Sequence, residues 1–264
     1  MSKKGTKSFE IERKYEAPEG ALLPLSFASA GLTLLAEDSF EMTATYYDTS
    51  DFLLAAHGVA LRKRLGGEDE GWHIKIKQSD VSTEYIWPLE ENVPRYAIEE
   101  LQKLTNEEAL RLIPVATINT LRRNCTLATL RGKHVCYLAD DDVKSEDHFT
   151  GVKRSWREWE AELAPDAGQD YLDKIEPFLL DAGAYESLSH SKIARARGAS
   201  VEIALKRGIS AENLAALAVI DLADRLAGLG VGRELQIKKM REIALANARC
   251  DLSVKKQTST PSSA

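Results

Sequence analysis

Five short runs of polar residues carry the chemical content of this chain, and each repeats at every second position. They are Glu10-x-Glu12-x-Lys14, Arg62-x-Arg64, Lys75-x-Lys77, Arg122 with Asn124 and Thr126, and Glu158-x-Glu160-x-Glu162. Successive side chains of a β-strand face opposite sides, so each run lies on one face of its strand. Alternating carboxylates offer hard oxygen ligands that suit Mg2+ or Mn2+ rather than zinc. Alternating Arg and Lys suit a polyanion, Arg gripping oxygens through two donors and Lys acting as a point charge. Like charges two positions apart repel unless something of opposite sign lies between them. The plainer alternative is a set of solvated sheet faces, each salt-bridged to its neighbour.

The charges also segregate by strand. Acids occupy the first and last runs and bases the middle ones. In a sheet closed on itself the first and last strands approach one another, so an acidic wall would face a basic one. A metal ion bridging two such walls is what a di- or triphosphate chain requires.

The elements that must position these residues follow from periodicity and punctuation. Phe9–Tyr15 reads as a strand, Ala17–Gly20 as a turn and Ala21–Ala30 as a short helix ending at Gly31. Glu41–Asp48 is β-prone, and Thr49-Ser50-Asp51 supplies an N-cap for a helix through His57 that Gly58 ends. Val59–Leu65, Trp72–Gln78 and Ser82–Glu90 form an antiparallel meander. Pro94–Leu112 is helical and stopped by Pro114. A hairpin joins Thr120–Leu130 to His134–Asp141, and Val152–Leu163 is the last strand, after a loop at Lys144–Gly151. That makes about eight strands. From Asp170 the pattern is helical at Tyr171–Ala182, Ser189–Arg197, Ala211–Leu229 and Gly232–Arg249, and the tail Lys255–Ala264 has a disordered composition.

Composition narrows the class. With 264 residues, 44% hydrophobic and 29% charged, the chain suits a soluble protein of one large domain or one domain with an appendage. No apolar run approaches the ~20 residues of a membrane-spanning helix. The basic stretch Met1–Lys7 has no apolar segment after it, so no secretory signal is expected. Cys125, Cys136 and Cys250 lack zinc-type pairing and suit reduced thiols in the cytoplasm. The net charge of -6 argues against nucleic acid as a partner. An anionic ligand therefore needs a local basic site or a metal.

The ordered set of motifs resembles the CYTH domain superfamily, the triphosphate tunnel metalloenzymes. The resemblance rests on Glu10-x-Glu12-x-Lys14, Tyr46-Tyr-Asp-Thr49, Leu53–Gly58 leading into Leu61-Arg-x-Arg64, and Gly71-Trp-His-x-Lys75-x-Lys77. It continues with Glu84, Arg122, Asp140-Asp-Asp-Val143, Glu158-x-Glu160-x-Glu162 and Ser191-Lys192, in family order. It implies an α+β fold: a closed eight-stranded antiparallel β-barrel, a tunnel flanked by helices, over residues 1–200. It further implies that Glu10, Glu12, Glu158 and Glu160 hold Mg2+ or Mn2+, with Asp140 and Glu162 as further contributors. Which pair among Glu158, Glu160 and Glu162 ligates the metal stays open. Arg62, Arg64, Lys75, Arg122 and Lys192 would bind phosphate, with Lys77 helping. Lys14 would bind phosphate or orient the attacking water.

The activity so implied is hydrolysis of a triphosphate, inorganic triphosphate being the simplest substrate. Thiamine triphosphate hydrolysis, cyclisation of ATP and non-catalytic polyphosphate binding are the alternatives. In many relatives a histidine-rich helical CHAD domain follows the tunnel. Residues 201–254 are too few for one and contain no histidine, so they read as a short helical extension, a truncated or degenerate remnant of that domain, that packs on the tunnel or pairs two copies as a homodimer. The five histidines lack ligand spacing, and Trp72, Trp156 and Trp159 read as packing residues.

Overall fold

The computed structural model describes residues 5–18, 20–78, 81–230, 239, 240 and 242–244. Eight antiparallel strands form a closed barrel: β1 (Thr6–Glu16), β2 (Leu32–Asp48), β3 (Val59–Leu65), β4 (Gly71–Gln78), β5 (Val81–Pro88), β6 (Ile113–Thr129), β7 (His134–Asp147) and β8 (Lys153–Leu163). The order around the wall is β5-β4-β3-β2-β6-β7-β8-β1. Closure falls to β1, whose first half (Thr6–Ile11) pairs with β5 and whose second half (Glu12–Glu16) pairs with β8. A two-residue β9 (Tyr185–Glu186) adds to the end of β1. The β3–β4 turn depends on glycine. Gly66 has φ +79°, and a Cβ there would lie 2.3 Å from the Glu41 carbonyl oxygen.

Because one strand face is charged, the apolar face must point outward and be covered. Helix α3 (Asp170–Asp181) covers β1, β7 and β8, packing Leu172, Ile175 and Leu179 against Tyr15, Leu138, Trp159 and Ala161. Helices α1 (Leu53–Ala56) and α2 (Arg95–Thr105) cover β3–β5, where Leu54, Ala97 and Leu101 meet Leu61, Trp72, Ile74 and Trp87. A third apolar cluster lies on the inner side, where Tyr46 and Ile118 line the cavity and, with Val143 and Trp156, meet Ala196 of α4 (Lys192–Ala196). α5 (Ser200–Lys206) follows, and α6 (Ala211–Gly228) lies along β8, close enough that a Cβ on Gly228 would be 2.5 Å from the Lys153 backbone. Buried Arg195 ties these parts together, donating to Asp224 at 2.6 Å and to Glu16 at 2.8 Å.

Several expected boundaries differ. The segment expected as a helix at Ala21–Ala30 forms only a 3-10 turn at Ala28–Ala30, because Pro24 pushes Leu23 out of helical geometry. The short helix expected from Thr49 begins at Leu53. Its amides are capped from further upstream, Leu54 and Ala55 donating to the Asp48 carboxylate and Leu53 to the Thr49 hydroxyl. α2 ends at Thr105 because Asn106 adopts φ +57°, not at Pro114, which lies within β6. Strands β2, β6 and β7 are longer than expected, and β7 runs through the segment expected to begin the Lys144–Gly151 loop. Cys125 and Cys136 are buried free thiols. The expected helix Gly232–Arg249, apart from residues 239, 240 and 242–244, and the tail Lys255–Ala264 lie outside the described residues. No helix among the described residues is long and apolar enough to cross a membrane.

Candidate functional site

Residues directly opposite on antiparallel strands point to the same side, so the register explains how distant motifs meet. Lys14 is opposite Glu160 and Glu12 opposite Glu162. Lys75 is opposite Glu84, Arg62 opposite both Tyr46 and His73, and Asp141 opposite both Arg122 and Glu158. These faces enclose a cavity of about 500 Å³. Of the sequence-predicted residues, Glu10, Glu12, Lys14, Arg62, Arg64, Lys75, Lys77, Arg122, Glu160, Glu162 and Lys192 all line it.

Inside the barrel the two signs of charge interlock. The Lys75 ammonium lies 2.5 Å from Glu10 and 3.1 Å from Glu12, and Lys14 bridges Glu12 at 3.1 Å and Glu160. Arg122 donates Nε and Nη2 to both oxygens of Asp141, at 2.7 and 2.6 Å, and Nη2 also reaches Glu160 at 2.6 Å. Arg62 meets Glu84 at 3.0 Å, and the same Glu84 oxygen lies 3.0 Å from His73 Nδ1. Arg64 contacts Asp69. The buried Nε atoms of Arg62 and Arg64 have no acceptor among the described residues, so each keeps a donor for an incoming anion.

Protonation follows this wiring. Burial opposes ionisation of Glu160 and Asp141, but Lys14, Lys192 and Arg122 around Glu160, and Lys192 and Arg122 around Asp141, hold both below the usual carboxylate range. Glu12 is likewise held down to about 2, against its burial, by Lys14 and Lys75. Burial pushes Glu10 up to about 8, helped by a hydrogen bond to the neighbouring Glu84 carboxylate. Burial and then the nearby Arg62 press the Arg64 guanidinium down from its ordinary value to about 9, so an anion there relieves crowding among cations.

One group of carboxylates has the spacing of a cation site. Ligand oxygens of Asp141, Glu158 and Glu160 lie within 4.8 Å of one another, and all three residues are buried. The Lys192 ammonium occupies their centre, 2.9 Å from Asp141, 2.5 Å from Glu158 and 2.7 Å from Glu160. A positive charge is therefore already accommodated at this point, and an all-oxygen donor set fits a hard divalent ion.

Not every predicted residue faces the cavity in the same way. Asp140 points outward and accepts from Arg123 at 2.8 Å and from both Nε and Nη2 of Arg157 at 2.7 Å. Its neighbour Asp141 is the member of that run that reaches the lumen. Counting back from the Ala128–His134 pair beside the turn would put Asp140 opposite Arg122; a register shift between Leu127 and Ala128 brings Asp141 there instead, which the sequence does not signal. Glu158 is buried beside Lys192 and accepts from Trp156 Nε1 at 2.6 Å, while Glu162 lies opposite Glu12. His73 and His190, both discounted on spacing, are part of the charged interior and its rim.

A closed antiparallel barrel with a charged lumen, its acids and bases interdigitated, with α1, α2 and α3 outside and α4 reaching in through Lys192, defines a tunnel fold. The CYTH domain profile matches residues 8–196, and the chain belongs to this family. An uncharacterized protein of Mycobacterium tuberculosis, found in strains H37Rv and CDC 1551, is 32% identical over 210 residues, covering 72% of this chain. The matched region spans 40% of the length of that relative. Among solved structures, a candidate adenylate cyclase from Bacillus halodurans is similar at TM-score 0.50 and 17% identity, over 72% of this chain and 97% of its own. A candidate adenylyl cyclase from Hippeastrum with a dominant triphosphatase activity is similar at TM-score 0.43 and 18% identity, over 75% of this chain and 96% of its own.

Proposed function

We propose that this chain hydrolyses a triphosphate, inorganic triphosphate above all, with Mg2+ or Mn2+ bound in the barrel. The observation that carries the reading is a buried three-carboxylate cluster whose member Glu160 lines the same cavity as the Arg62, Arg64 and Arg122 guanidinium groups, with Arg122 also held on Asp141. Asp141, Glu158 and Glu160 would hold the metal, which when bound neutralises phosphate charge. Arg62, Arg64, Arg122, Lys75 and Lys192 would grip phosphate oxygens, releasing their present carboxylate partners. Lys14 and the ionised Glu12 would orient a water against the terminal phosphorus. The water oxygen bonds to that phosphorus, the bond to the bridging oxygen breaks, pyrophosphate leaves, and the water proton passes to a lumen carboxylate. Organic triphosphates are the second reading, because Ala44, Val115, Ile118 and Ile193 give the same cavity an apolar stretch.

The test is incubation with Mg2+ or Mn2+ and inorganic triphosphate, thiamine triphosphate or ATP, with products resolved. Phosphate released from inorganic triphosphate supports the first reading. Turnover confined to an organic triphosphate, or formation of cyclic AMP, overturns it.

A further inference from the structure

The cations that line this cavity fall into two populations. Lys14, Lys75, Arg62, Arg122 and Lys192 each touch at least one carboxylate. Lys77 and Arg207, on the wall formed by the end of β4 and the end of α5, touch none among the described residues. They are held together instead by His190. Its carbonyl oxygen accepts from Lys77 Nζ at 2.7 Å, and its Nδ1 lies 3.1 Å from Arg207 Nη1. Since Nδ1 accepts from a guanidinium, the imidazole is neutral and brings no compensating charge. Burial and the cations Lys77 and Arg207 press His190 down to about 4, which agrees with that reading. Lys206 lines the same wall but is already paired with Glu202 at 2.7 Å.

We propose that Lys77 and Arg207 form a second anion subsite, which receives the phosphates beyond the third of a longer linear inorganic phosphate chain. The inference rests on the triphosphate reading of the inner cavity. Arg207 is exposed and lies beyond residues 8–196, so it belongs to the part of the chain that the family profile does not cover. Lys77 sits between the two regions. Burial and then Lys14 lower its pKa against the opposing pull of Glu12, with Lys75 and Arg207 adding to the lowering, so it feels the inner charges on one side and Arg207 on the other. An anion that extends past the acids paired with Lys14 and Lys75 meets Lys77 and Arg207, whose partner is the neutral His190, so no carboxylate has to be displaced to reach them. The inner bases, by contrast, must first give up their carboxylates.

The test compares linear inorganic chains of three, four and five phosphates with Mg2+, reading KM and kcat from phosphate release. The longer chains are expected to have a KM roughly fivefold lower than triphosphate at low salt, the scale of an exposed charge contact, and the advantage shrinks as salt is raised. Arg207→Gln, at an exposed position where folding is not at stake, removes the chain-length advantage by raising KM for the longer chains with little change in kcat. Arg207→Lys restores part of it, and Lys174→Gln on the surface of α3 leaves it intact. If triphosphate turns over but chain length has no effect on KM, or Arg207→Gln keeps the advantage, the subsite is overturned and the triphosphate reading stands. If triphosphate is neither bound nor hydrolysed, that reading falls. Calorimetric binding of the longer chains then decides the subsite alone, upheld if Arg207→Gln abolishes it and overturned if it does not.

Discussion

Replacing Lys192 by Met keeps an unbranched side chain one atom shorter but removes the ammonium that sits among Asp141, Glu158 and Glu160. Arg122 would still reach Asp141 and Glu160, and Lys14 would still reach Glu160. Glu158 would keep the Trp156 indole and an Arg195 guanidinium 3.9 Å away. Three buried carboxylates would otherwise face one another. Removing one partner from a buried ionic cluster costs about 3–5 kcal/mol, and for a protein of this size each kcal/mol moves Tm by ~2–4 °C. Lys192→Met in EDTA should therefore melt roughly 10 °C below the wild type. Mn2+ should recover much of the loss, because the ion takes the place of the ammonium. At a hundredfold excess over Kd it contributes about 2.7 kcal/mol. The wild type should respond less, since Lys192 competes for the same oxygens. Acid provides a second check. Lys192 and Arg122 hold Asp141 and Glu160 below their ordinary 3.8 and 4.5, so their stabilisation is present above those values and is lost as pH falls through the folded values. The gap between variant and wild type should therefore close as pH falls. The readout is thermal unfolding by circular dichroism, with and without Mn2+. A variant that melts with the wild type in EDTA, or gains no more from Mn2+ than the wild type does, refutes the reasoning.

Two further outcomes follow from the same wiring. Glu10 keeps its proton up to about pH 8, whereas its ordinary value is 4.5, so folding takes up a proton between those values and stability falls as pH rises across that window. Glu10→Gln, which cannot ionise, should flatten that slope in denaturant titrations, and an unchanged slope would show that Glu10 is not the group responsible. Asp140→Asn should lower stability by about 1–3 kcal/mol through its lost charge-assisted bonds to Arg123 and Arg157, yet keep the Mn2+ response. Asp141→Asn should weaken that response at least tenfold in metal affinity. Equal effects from the two variants would contradict the assignment of faces.

The wall of the barrel was legible because alternation is a local property. Phe9–Tyr15, Val59–Leu65 and Trp72–Gln78 state their faces within a few residues, and the charges that share a face in each run do share the lumen. What needed the third dimension was register between strands. Asp140 and Asp141 are adjacent acids with opposite facings, and only the pairing of Arg122 with Asp141 separates them. The full lengths of β2, β6 and β7 were hidden because residues such as Glu37, Asp38 and Ser39 are poor strand formers that cross-strand pairing holds in place. α5 and its Arg207 carry no motif, and their relevance comes from the way α4 and α5 fold back onto the cavity. Lys192 was expected as a phosphate ligand. Its place within the carboxylate cluster could not be read from the chain, because it depends on α4 meeting β7 and β8.

The most direct test of the lumen as a metal-and-phosphate site is anomalous diffraction from crystals grown with Mn2+ and inorganic triphosphate under slow-turnover conditions. The prediction is a manganese peak within ligand distance of the Asp141, Glu158 and Glu160 carboxylates, with phosphate oxygens on Arg62, Arg64 and Arg122 and the Lys192 ammonium moved off the cluster. Manganese elsewhere with Lys192 still seated among the three acids, or triphosphate bound outside the barrel, would contradict the account.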